Sequence, residues 1–81
     1  MIELDVRDMP APEPMQAALT ELFKLEEGEI IHFHHIMVPQ MLLPRLNNHF
    51  FEIKEDGDDV HLYICHKEDA ASIETIKGLV G

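Results

Sequence analysis

The chain has 81 residues, 46% hydrophobic and 27% charged, the balance of a globular chain with room for one modest core rather than of a disordered one. Sixteen acidic and six basic side chains give a formal net charge of −10, which opposes nucleic acid and anionic membranes because phosphates need Lys and Arg for neutralisation. No apolar run approaches the roughly 20 residues of a membrane-spanning helix, and a single cysteine, Cys65, rules out an intrachain disulfide.

Ile2, Leu4 and Val6 alternate with Glu3, Asp5 and Arg7, the period of a half-buried strand. This acidic, alternating start has neither the basic region nor the apolar stretch of a secretory signal, which with the lone cysteine predicts a cytoplasmic protein. Pro10, Pro12 and Pro14 then break any ladder, and Pro14 suits the first turn of a helix. Met15, Ala18, Leu19, Leu22 and Leu25 follow at helical spacing as a core stripe, and Gly28 is placed to end that helix in a left-handed cap. Glu29 to His35 predicts a second strand with Ile31 and Phe33 on one face and His32 and His34 on the other.

A short second helix is expected within Pro39 to Asn48, starting near Met41 because Pro44 is tolerated only in a first turn. Phe50 to Glu55 and Asp59 to His66 read as strands around the Asp56-Gly57 turn signal. Val60, Leu62 and Ile64 point inward on the last strand, and His61, Tyr63 and Cys65 outward. Ala70, Ile73 and Ile76 recur at helical spacing in the tail and predict a short C-terminal helix there. The order β-α-β-α-β-β predicts an α+β, two-layer sandwich with two helices on one face of a four-stranded sheet.

The run Leu4-Asp-Val-Arg-Asp-Met-Pro-Ala-Pro-Glu-Pro14, with Glu27-Gly28-Glu29 after the helix, resembles the SirA/TusA sulfur carriers, whose signature is Asp-x-Arg-Gly-Leu-x-Cys-Pro-x-Pro. It looks still closer to a related bacterial and archaeal family of unknown function that carries a proline-rich version without the cysteine. That family shows a His-His-x-x-x-Pro segment, which His34-His-Ile-Met-Val-Pro39 is similar to. The resemblance covers Ile2 to Lys67, so residues 1–67 are expected to form the SirA/TusA-like domain and residues 68–81 a tail. It implies a mixed sheet in the order first, second, fourth, third strand, with the fourth antiparallel to the others.

The sulfur carriers place their cysteine at a helix N-terminus, where a thiolate is stabilised and holds a persulfide. Ala11 stands at the matching position and has no nucleophile, while Asp8 replaces the glycine; persulfide relay at Ala11 is chemically excluded. Arg7, Pro12, Glu13 and Pro14 are kept. Arg7, Glu13 and His35 form a candidate binding junction, because this topology brings the loop after the second strand towards that corner.

Six histidines in 81 residues raise a second chemistry. Given the implied strand order, His32, His34, His61 and Cys65 would share the face left free by the helices, a donor set for Zn, Ni or Cu. The competing reading is solvated or interface histidines, which would make association with a partner or a second copy pH-dependent near neutrality. Sulfur transfer through Cys65 is a third, weaker reading, because that residue lies near the end of a strand and not at a helix N-terminus. Neither a Ser/His/Asp signature nor a Gly-rich phosphate loop appears, so no enzyme is expected. The leading expectation is a non-catalytic interaction module that binds a protein partner or forms a homodimer.

Overall fold

A computed structural model of the protein describes residues 1–81. The chain runs β1 (Ile2–Asp5), α1 (Glu13–Lys24), β2 (Ile31–His35), a 3₁₀ segment (Leu43–Leu46), β3 (His49–Asp56), β4 (Asp59–His66) and α2 (Ala70–Val80). The sheet order is β1-β2-β4-β3, with β1 parallel to β2 and β4 antiparallel to both of its neighbours. The fold is therefore α+β with a mixed four-stranded sheet.

Strand alternation sorts the side chains onto two faces. On one face Ile31, Phe33, Leu62 and Ile64 join Val6, Ala18, Leu25, Leu42 and Leu46 in the main core. Met15, Leu19 and Leu22 of α1 pack against it, as their helical spacing predicts. Helix α1 begins with Glu13 and Pro14 and ends with Lys24. The acidic start and basic end suit the helix dipole, and Pro14 gives up an amide that the first turn leaves unpaired anyway.

The end of α1 differs from the expected glycine cap. Leu25 turns extended and buries its side chain in the core, and its carbonyl accepts a 2.8 Å hydrogen bond from Nε2 of His66. A side chain from β4 thus does the work of a left-handed cap. Gly28 does adopt positive φ, at 92°, but in the following turn, where Glu29 donates to the Glu26 carbonyl.

The expected second helix is a single 3₁₀ turn. Pro44 has no amide proton to continue an α-helical ladder, and the amides of Leu42 and Leu43 both bond to the Pro39 carbonyl. The segment still covers the same face as α1, with Leu42 and Leu46 fully buried. Gly57, at φ 64°, and Asp58 form the two-residue hairpin loop between paired Asp56 and Asp59, glycine first as a type II′ turn requires.

Helix α2 packs on the opposite face of the sheet. Its Ile76 forms a second core with Ile30, Tyr63 and Cys65, joined by Phe50, Ile73 and Val80. The face expected to stay open is therefore closed at its Cys65 end and open at its histidine end.

Candidate functional sites

Two places concentrate chemistry, one on each face of β2. The first is a groove of about 660 Å³ between the start of α1 and the loop after β2, lined by Ala11, Pro12, Met15, Met37, Met41 and Leu42 among others. Its exposed edge carries unusually large apolar side chains, with Met37 59% and Met41 77% exposed. His35 also lines it. The Nδ1 atom of His35 accepts the Ile36 amide at 2.8 Å, and burial pushes this imidazole below its ordinary pKa. The neutral ring therefore carries its proton on Nε2, a donor in a groove whose other polar side chain is that of Gln40.

Of the expected junction only His35 lines the groove, beside Ala11, whereas Arg7 and Glu13 are outside the lining. Arg7 turns away to clasp Asp5 through Nε at 2.9 Å and Nη2 at 2.7 Å. That bidentate hydrogen bonding holds the Asp5 carboxyl far below the usual carboxylate range and raises the guanidinium pKa in return. Glu13 is an exposed first-turn residue of α1.

The second place is the histidine face. Register puts His34 directly opposite His61, and His32 opposite Tyr63. The rings stack, with centroids 4.3 Å apart for His34 and His61 and 4.7 Å for His32 and Tyr63. Glu3 of β1 lies beside His32 and receives its Nδ1 at 2.6 Å. On the other side His32 Nε2 meets His61 Nδ1 at 2.8 Å. A carboxylate can only accept, so His32 donates from Nδ1, and when that ring is neutral its Nε2 accepts the proton of His61 Nδ1. The lone pair of His61 is then on Nε2. Burial first, then repulsion from the His34 and His32 imidazoles when those carry charge, lowers the His61 pKa.

Asp59 completes the cluster. Its Oδ2 lies 3.1 Å from His34 Nε2 and 4.0 Å from the Arg7 guanidinium. One donor atom each from His34, Asp59 and His61 fall within 4.8 Å of one another. Asp59 opens β4 two residues before His61 and so shares its face. The period-two pattern that selected His61 and Tyr63 also selects Asp59.

Cys65 does not join the other donors. Alternation places it on their face, but α2 covers it completely, and its Sγ donates to the backbone carbonyl of His66. Burial, then the Asp69 carboxylate, pushes its thiol pKa up, the reverse of what a sulfur carrier or thiolate ligand needs. The other two histidines, His49 and His66, stack on each other with ring centroids 5.5 Å apart; His66 caps the end of α1 through Leu25, while Nδ1 of His49 is buried without a partner.

No family model matches the chain, and no match was found among curated proteins or solved structures. No helix is long and apolar enough to cross a membrane.

Proposed function

We propose that the chain is a non-catalytic interaction module on a sulfur-carrier-like scaffold that lacks the persulfide cysteine, and that the groove beside Ala11 receives apolar side chains from a basic segment of a partner protein. The scaffold half of this reading rests on the motif from Leu4 to Pro14. The binding half rests on one observation: an open apolar groove edged by exposed Met37 and Met41. Contiguous exposed apolar surface marks interaction sites, and unbranched, polarizable methionines adapt to varied partners. An alanine methyl where the sulfur carriers hold a thiolate leaves this corner apolar.

Charge selects among occupants. Two copies would each bring a net charge of −10 and repel, so a Lys/Arg-bearing partner segment is favoured over a homodimer. Burying one Leu- or Phe-sized side chain contributes about 1.5–3 kcal/mol, roughly tenfold to a hundredfold in affinity. His35 Nε2 supplies one donor to orient a partner carbonyl.

Selection from a displayed random-peptide library against tag-free protein tests this. Enriched peptides should carry an apolar anchor flanked by Lys or Arg and lose binding at least tenfold to Met41→Glu, while Phe23→Glu, an exposed change outside the groove, has little effect. Failure to enrich any sequence, or binders indifferent to Met41→Glu, would overturn the reading. A concentration-dependent dimer in sedimentation, abolished by Met41→Glu, would assign the groove to a second copy instead.

A further inference from the structure

The histidine face shares no residue with the groove, and its arrangement is unexplained by partner docking. We propose that His34, His61 and Asp59 form a binding site for one divalent first-row transition ion of the zinc, nickel and copper class, with His32 and Glu3 orienting the His61 ligand from behind.

Three features carry the assignment. The donors are already gathered within 4.8 Å of one another, so an ion with bonds of about 2.0–2.2 Å needs them to draw together by roughly an ångström. They are held by the ladder rather than by loops: His34 and His61 are cross-strand partners, and Asp59 is the next residue along that face of β4. Side chains fixed in this way lose little freedom when an ion arrives.

The protons are also placed for metal. With His32 neutral, the hydrogen-bonded series Glu3–His32–His61 places the His61 proton on Nδ1 and leaves the lone pair on Nε2. Metal-bound histidines characteristically donate their second N–H to such a partner, which sets the tautomer and raises ligand basicity. Here the carboxylate acts through an intervening imidazole.

Finally, the Nε2 atom of His34 is buried without a hydrogen-bond partner, although Asp59 Oδ2 is 3.1 Å away. A buried polar nitrogen facing a carboxylate but not aligned with it is costly as a hydrogen-bonding group, and an ion coordinated by both atoms removes that cost. Asp59 is partly exposed, which leaves a path from solvent, and Arg7 spends its hydrogen bonds on Asp5, which leaves the Asp59 carboxylate available.

The donor set decides the ion class. Two imidazoles and one carboxylate suit zinc, nickel and copper, whereas magnesium and calcium prefer all-oxygen surroundings. Three protein ligands leave at least one position to water.

Calorimetric titration of tag-free, chelator-stripped protein with zinc, nickel and copper chlorides tests the assignment, with magnesium chloride as comparator. The expected result is one ion per chain, bound at least a hundredfold more tightly than magnesium. His34→Ala and Asp59→Ala should each weaken binding tenfold or more, and His32→Ala should weaken it by about 10- to 100-fold, the range for second-layer partners. His49→Gln, which removes a histidine elsewhere, should leave affinity unchanged. Far-UV circular dichroism checks each fold, and Asp59→Ala, a change at a partly exposed side chain, decides the matter where a histidine variant unfolds. Affinity no better than for magnesium, or unaltered by Asp59→Ala, would overturn the proposal. Either result leaves the peptide-groove experiment untouched.

Discussion

The Asp69 carboxylate accepts the Gly28 amide at 2.7 Å across 41 residues of sequence, and so joins the start of α2 to the turn that leads into β2. The same carboxylate caps its own helix, taking the Ser72 amide at 3.2 Å and the Ser72 hydroxyl at 2.6 Å. One side chain therefore both starts α2 and docks it. Asp69→Ala should loosen α2 over the sheet, lower the melting temperature by several degrees and accelerate labelling of Cys65 in the folded protein. Thermal melts and timed thiol alkylation check both effects.

The same residue predicts a pH dependence. Hydrogen bonds from the Ser72 side chain, the Gly28 amide and the Ser72 amide hold the Asp69 carboxyl below its ordinary range. The unfolded chain thus takes up this proton first on acidification. Asp69 contributes stability that is fully present above the ordinary aspartate pKa, near 4, and is lost as pH falls through the lower folded value. Urea midpoints measured from pH 6 down to pH 3 should fall below pH 4, and Asp69→Asn should flatten that part of the curve.

Cys65 should be inert in the native state. Its burial beneath α2 and its raised pKa predict slow alkylation at pH 8 and rapid alkylation in denaturant. Sulfane sulfur should not accumulate on the folded thiol. Cys65→Ala removes one buried atom and should cost about 1 kcal/mol of stability, read from chemical denaturation.

Leu42 joins the groove to the core, being fully buried while it lines the cavity. Leu42→Ala should cost about 2–5 kcal/mol and weaken peptide capture as well. Met41→Glu should weaken capture alone, because its side chain is mostly solvated. Denaturation and binding curves measured on both variants separate the two effects.

Arg7 stands 4.0 Å from Asp59 and opposes any cation bound there. Arg7→Gln should therefore tighten transition-metal binding severalfold, more at low salt than at high. Calorimetry at two ionic strengths checks the direction.

Much of this architecture was legible in residue order because short-range patterns determine it. The alternation from Asp59 to His66 marked β4 to its ends, and helical spacing marked the α1 stripe. Pro44 warned that the middle helix would be short, but not that only a 3₁₀ turn would remain. The expected exposure of Cys65 failed for a different reason. Strand alternation reports the face a side chain occupies, whereas its burial depends on α2 docking through Ile73, Ile76 and Asp69, a tertiary event. Asp59 was overlooked because an acidic residue beside a turn reads as solvated until strand pairing places it against His34. The groove was equally hidden, since Met37 and Met41 come together with Ala11 only once the loop folds over α1.

Methyl NMR of the protein labelled at its five methionines tests the central claim most directly. On titration with a selected basic peptide, the Met15, Met37 and Met41 methyl signals should shift and saturate together, while Met1 and Met9 stay in place. Saturable peptide binding that moves only Met1 or Met9, or moves no methionine, would contradict an apolar docking groove beside Ala11.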